Sequence, residues 1–290
     1  MKPVFAILLL ICGIQASAQP VLDSLEAYGQ RMLNDQEAER RKHAGLNLGR
    51  LVDSLLRSPN GFPQPTQPLK SISVLESPDH AITLITWNIP LDSGRFAFHG
   101  RIAIRQPYQV IELVDVSSTL KKPESKVLSK GQWYGAIYYQ IGQTLSKKHK
   151  TYTLLGWNGN NAFSNQKIID ILQVARDGSV QFGAPVFQDG KRNRNRVIFE
   201  FSEKTSMSLR FQDKGRSIVF DHLSPPQAAL EGNFAFYGPD FTYDAYRLKK
   251  GKWVFEKNID ARNEDENKGR LPRTPEKGLA PAAPAKKNSK

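Results

Sequence analysis

Two short stretches carry the residue types that acid–base chemistry needs. Asp221-His222 follows the apolar run 217–220 and precedes Leu223-Ser224-Pro225-Pro226. An imidazole beside a carboxylate at a strand end can act as a general base or bind a ligand. Neighbours along a strand point to opposite faces, however, so Asp221 need not orient His222. Capping or turn hydrogen bonding is the plainer use of the pair. Pro239-Asp240-Phe241-Thr242-Tyr243-Asp244 sets two carboxylates four residues apart, with Tyr237 and Tyr246 nearby. Positions 240, 242 and 244 share one face of an extended strand, so both acids could converge on a glycosidic bond or a calcium ion. Their plainer use is again turn hydrogen bonding. Trp157-Asn158-Gly159-Asn160-Asn161 reads first as a turn, since Asn and Gly adopt positive φ at little cost. The same amides beside an indole ring also suit a sugar-stacking site, which makes Trp157, Asn158, Asn160 and Tyr243 ligand-binding candidates. The chain holds no H-E-x-x-H, no G-x-S-x-G and no Gly-rich phosphate loop, so no metal site and no cofactor is expected.

The first residues indicate the compartment in which any such chemistry would work. Met1-Lys2 is a positive start, an apolar stretch runs from Pro3 to Ile14, and Ala16-Ser17-Ala18 follows. That order reads as a secretory signal peptide, with cleavage after Ala18 and a periplasmic or secreted product. The single cysteine, Cys12, lies inside this segment, and Ile11 before it is too large for a lipoprotein site. The mature chain would then have no cysteine, which excludes disulfides and thiolate chemistry. Beyond the first twenty residues no apolar run approaches the roughly 20 residues of a membrane helix, so no transmembrane span is expected after cleavage.

The formal net charge is +13 over 290 residues. Residues 121–150 hold seven lysines against one acid, Glu124, and 191–196 is a second basic cluster. A basic surface attracts polyanions through a field that salt screens. For an exported protein those are lipopolysaccharide or another anionic glycan, or an envelope protein partner, and not nucleic acid, for which no module signature is present.

Patterning divides the chain into five parts. Residues 1–18 read as the signal peptide. Residues 19–58 read as helical, with Leu22, Leu25, Met32 and Leu33, then Leu48, Leu51, Val52, Leu55 and Leu56 at helical spacing. Gly45 and Gly49 weaken the middle, so one helix or two both fit. Prolines 59, 63, 65 and 68 mark a linker over 59–69. From 70 to 260 short β-branched and aromatic runs alternate with turn signals, including 82–87, 96–104, 110–116, 152–157, 168–175 and 196–201, with further strand candidates at 234–236 and 243–248. No helix of crossover length separates them, which excludes a doubly wound nucleotide fold. Residues 261–290 are Pro/Ala/Lys-rich without an aromatic residue and read as a disordered basic tail.

Several segments are familiar as a set: Trp133-Tyr134-Gly135-Ala136-Ile137-Tyr138-Tyr139, residues 152–160, Phe182-Gly183-Ala184-Pro185-Val186-Phe187, Val219-Phe220-Asp221-His222-Leu223 and Tyr237-Gly238-Pro239-Asp240. Over residues 70–262 the chain resembles a group of uncharacterised secreted proteins of Bacteroidetes-type bacteria. The resemblance implies an exported location in a Gram-negative cell and assigns no activity. The expected architecture is α+β, mainly antiparallel β, as a meander sandwich or a curled, barrel-like sheet, with an N-terminal helical segment. The expected function is a non-enzymatic binding module or envelope-assembly component. The alternative is a hydrolase of an envelope polymer using His222 or the Asp240/Asp244 pair. A third reading is a calcium-stabilised glycan-binding module near Trp157 and Asp240.

Overall fold

The computed structural model describes residues 20–58, 61–63, 69–144, 150–190 and 192–260. The expected signal peptide, most of the linker and the expected tail lie outside them. The chain divides into a large unit, Met1–Ile259, and a short one, Asp260–Lys290.

Two helices open the large unit, α1 (20–34) and α2 (Ala38–Arg57). The break between them falls at 35–37, not at Gly45 or Gly49. Asp35 supplies its cause: its carboxylate accepts the Glu37 N–H at 3.0 Å, an Asx-type turn that competes with helix. Arg41 then holds the corner, donating to the carbonyls of Asp35 and Gln36, to Pro90 O and to Asp92. Gly45 and Gly49 lie on the buried side of α2. A Cβ at Gly45 would sit 2.4 Å from Ile89 Cδ1, so glycine here allows close approach to a sheet instead of ending a helix.

The β-rich remainder builds three open sheets among the described residues, and none closes into a barrel. The curled alternative therefore gives way to stacked layers. The first sheet uses β1 (Ser73–Glu76), β2 (Ile82–Pro90), β3 (Phe96–Arg105) and β4 (Tyr108–Asp115) as an antiparallel meander. After β5 (Leu128–Ser129), β6 (Gln132–Trp133) adds to β4 in parallel. The second sheet has the order β5-β10-β9-β8-β7, from β7 (Ile137–Thr144), β8 (Lys150–Asn158), β9 (Ser164–Val174) and β10 (Val180–Phe182). Then come β11 (Phe187–Asp189), β12 (Arg192–Arg194) and β13 (Val197–Ser202), of which β13 pairs with β9. The third sheet joins β11 and β12 to β14 (Leu209–Gln212), β15 (Ser217–Ser224), β16 (Gly238–Lys249) and β17 (Lys252–Glu256). Residues 234–236, expected as a strand, form a 3₁₀ turn; Phe236 and Tyr237 N–H groups close local bonds to Asn233 and Phe234.

Three apolar cores stack these layers. Leu25, Leu48 and Val52 of the helices meet Ile85, Trp87 and Ile89 on one face of the first sheet. The opposite face, with Ile82, Leu84 and Ile102, meets Tyr138, Tyr152, Leu154 and Ile168 of the second. The far face of the second sheet, with Leu155, Ile169 and Ile171, meets Phe220, Tyr246 and Trp253 of the third. Strands covered on both faces read as near-continuous apolar runs, interrupted in 82–87 by Thr83 and Thr86 and in 168–172 by Asp170. Trp253 Nε1 donates to Thr153 Oγ1 at 3.1 Å, a polar tie between the second and third sheets.

At the middle layer, Arg196 and Asp170 form a fully buried ion pair, Nε to Oδ2 3.0 Å. The Arg196 Nη1 also donates to Pro123 O and Lys126 O, and Tyr138 OH donates to Asp170. These bonds offset the cost of taking two charges out of water.

Candidate functional site

The 157–161 turn follows β8, and hydrogen bonding shapes it. Asn158, buried, donates to Gly135 O at 2.6 Å and accepts the Asn160 N–H at 2.6 Å. Asn160 takes a positive φ of 34°. The turn reading is therefore correct, and the turn also walls a cleft of about 390 Å³. Asn158 and Asn160 face Arg95, Phe96, Phe98 and Asp115 across it. Trp157, half-buried, does not line the cleft but supports it. Its ring meets Phe96 edge-on at 5.5 Å and Phe98 at 6.5 Å between centroids. Gly159 is required here, because a Cβ would lie 2.2 Å from the Phe96 ring. Asp115 is fixed by the N–H groups of Ser117 and Gly135, at 2.8 and 3.0 Å, and a Cβ on Gly135 would collide with its carboxylate at 2.5 Å.

Tyr134 belongs to this cleft and to a second, of about 770 Å³. The second is bordered by Lys122, Glu124, Arg194, Gln166, Glu200 and Phe234. Tyr134 is buried and its hydroxyl donates to Gln166 Oε1 at 2.8 Å. Burial pushes its pKa up to about 12, so it stays a neutral donor. Gln166 Nε2 donates to Glu200 at 3.2 Å. Glu200 also accepts Ser164 Oγ at 2.6 Å and Asn160 Nδ2 at 3.0 Å. One network of amide, hydroxyl and carboxylate groups thus runs along both clefts. Side chains held this way are preorganised, with less rotamer freedom left to lose on binding.

The sequence signal pointed to Asn158 and Asn160 but missed Arg95, Phe96, Phe98, Asp115, Tyr134 and Glu200. The Phe96-x-Phe98 alternation shows a shared strand face and could have pointed to a ring pair. Nothing local shows that Asp115 grips Gly135 twenty residues later. Tyr243, the remaining ligand candidate, lies on β16, its carbonyl accepting Ile259 N–H, and lines neither cleft.

The acid–base candidates sort differently from their spacing. His222 Nδ1 and Asp240 Oδ2 lie 2.7 Å apart, joining two residues eighteen positions apart. Asp221 instead accepts the Ser208 N–H at 2.7 Å, and Asp244, buried, accepts the Asn258 N–H at 2.9 Å. The two carboxylates of β16 serve different partners and do not form a pair. Register explains why: β15 and β16 slip between Asp221 and Leu223, and Phe241 adopts φ 67°, so the simple strand alternation fails there. Burial opposes the charged form of Asp240, but bonds from Thr242 and His222 outweigh it and hold the carboxyl down to about 2. The pair clamps a bulge whose tip, Phe241, is 93% exposed. Among the described residues no group of three or more His, Cys, Asp or Glu is placed to hold a metal ion. No helix among them is long and apolar enough to cross a membrane.

No family model, curated protein or solved structure matches the chain.

Proposed function

We propose that the protein is an exported, non-enzymatic binding module of a Gram-negative envelope, periplasmic or secreted, and that its ligand is a glycan. The charged start, apolar run and Ala16-Ser17-Ala18 site support export, as does the resemblance to secreted proteins of Bacteroidetes-type bacteria. One observation carries the glycan reading. Phe96 and Phe98 share a cleft with Asn158, Asn160 and Asp115, and each of those three polar side chains is pinned by a hydrogen bond. Sugars present apolar ring faces and hydroxyl edges together, and rings beside fixed amides and a carboxylate complement both. Asp115 Oδ2 and Asn160 Oδ1 accept no hydrogen bond among the described residues and are available to hydroxyls.

The test is calorimetry or an array of soluble glycans probed with the mature chain, beside Phe96→Ala. Binding lost in Phe96→Ala with the fold intact supports the cleft. Failure of every glycan to bind removes the reading.

The 2.7 Å bond between His222 and Asp240 favours a second reading, hydrolysis of an envelope polymer. An ionised Asp240 on Nδ1 would fix the imidazole and leave Nε2 as a base, the orienting logic of hydrolytic triads. Neither residue lines either cleft. Turnover of a glycan or ester that His222→Asn abolishes would establish it.

A further inference from the structure

We infer that the two clefts are one site whose shared floor is Tyr134, and that it takes an acidic, uronate-bearing oligosaccharide across both halves. This deepens the glycan reading and rests on it.

Continuity is the first argument. Tyr134 lines both clefts, and Asn160 of the first bonds Glu200 of the second at 3.0 Å. A single sugar ring would not occupy about 390 and 770 Å³ together, whereas a chain of several would. A ring lies at each end, the half-buried Phe96 in one half, backed by the buried Phe98, and a 41% exposed Phe234 in the other.

Charge is the second. Each acid of the walls already accepts hydrogen bonds, with one oxygen of Asp115 left open among the described residues. Glu124 holds Arg194 Nη1 at 3.0 Å, Glu200 accepts three side-chain donors, and Asp115 accepts two backbone N–H groups. Arg194 is committed in turn to Glu124 and Asp189. Arg95 in one half and Lys122 in the other make no hydrogen bond or ion pair through their side chains among the described residues. Each half therefore offers a ligand carboxylate one cation without a protein partner among the described residues, while the Asp115 and Glu200 carboxylates, bonded by neutral donors, keep their charge and face ligand hydroxyls. The planar guanidinium of Arg95 suits a carboxylate in particular. Lys122 is held at φ 51° directly before Pro123, a conformation disfavoured for the residue preceding proline. Ser125 stabilises it through N–H and Oγ bonds to the Lys122 carbonyl at 3.1 and 2.9 Å.

The experiment uses tetrasaccharides of galacturonate, mannuronate and hyaluronan, each beside its carboxyl-reduced neutral counterpart, titrated into the mature chain. At least one acidic tetrasaccharide is expected to bind about tenfold or more tighter than its neutral partner, with the margin shrinking at high salt. Arg95→Ala and Lys122→Ala, both at exposed positions, should each weaken that acidic ligand about tenfold and the neutral one by a smaller factor. The matching uronate monosaccharide should feel at most one of the two substitutions. Equal affinity for acidic and neutral tetrasaccharides would overturn the inference and leave the glycan reading standing. An acidic ligand indifferent to Lys122→Ala would overturn the two-part site. No binding by any probe, acidic or neutral, would overturn both.

Discussion

Asn160 Nδ2 donates to Glu200 Oε1 across 3.0 Å, tying the turn after β8 to the strand β13 that pairs with β9. The bond makes a surface turn part of a sheet and gives the candidate site a rigid wall. It also locates the positions whose substitution distinguishes binding from folding.

Gly159→Ala should damage both. The new methyl would sit 2.2 Å from Phe96 and 2.9 Å from Trp157, so the rings must shift. Overpacking of this kind costs about 1–3 kcal/mol, and under the proposed glycan-binding function affinity should fall with it. Thermal unfolding and titration of one sample check it. An alanine variant with unchanged stability and affinity would show that Phe96 does not rest on the turn.

Asp170→Ala should be severe, since it leaves Arg196 charged and buried without its carboxylate. The expected loss is about 3–5 kcal/mol by denaturant unfolding. The double variant Asp170→Leu, Arg196→Met should lose less than the single one, because no charge is left buried. The reverse order would mean that the ion pair itself, and not the avoidance of a lone charge, stabilises the middle layer.

Gly29→Ala tests how α1 docks. In an isolated helix alanine is better than glycine by about 1 kcal/mol. Here the added Cβ would lie 2.2 Å from Ser71 Cβ, so stability should fall instead. Ser71→Gly in the same chain should restore it. A stabilised single variant would place α1 further from Ser71.

Asp240→Asn probes the clamp beneath Phe241. The folded-state pKa of Asp240 is depressed to about 2 from an ordinary 3.8. A depressed carboxylate contributes stability that is present above the unfolded value and lost as pH falls through the folded one. The wild-type advantage over Asp240→Asn should therefore hold at neutral pH, shrink below pH about 4 and be gone only below pH about 2. Unfolding measured along that pH series decides it. An advantage independent of pH would remove the ionised clamp.

Local chemistry by itself determined a good part of this molecule. Apolar periodicity marked the helical segment, and β-branched runs such as 82–87 and 168–175 marked strands, because strand and helix periods are properties of neighbouring residues. Asn and Gly marked the 157–161 turn for the same reason. Residue types left one helix or two open, because Gly45 and Gly49 serve contacts with Ile89 and Trp87 some forty residues away, while Asp35 makes the turn that separates two helices. The 234–236 segment has strand-forming residues yet closes local bonds at the edge of the layers.

What only the tertiary structure decided are relationships across distance. Asp240 meets His222 and not Asp244 because a register slip, invisible in residue types, turns the strand face. Tyr134, Gln166 and Glu200 come from three separate segments and acquire their arrangement only when β9 pairs with β13 beside the loop after β6. Spacing along a chain encodes direction within one element. Which elements meet depends on the apolar area that each face buries, and that sum is taken over the whole fold.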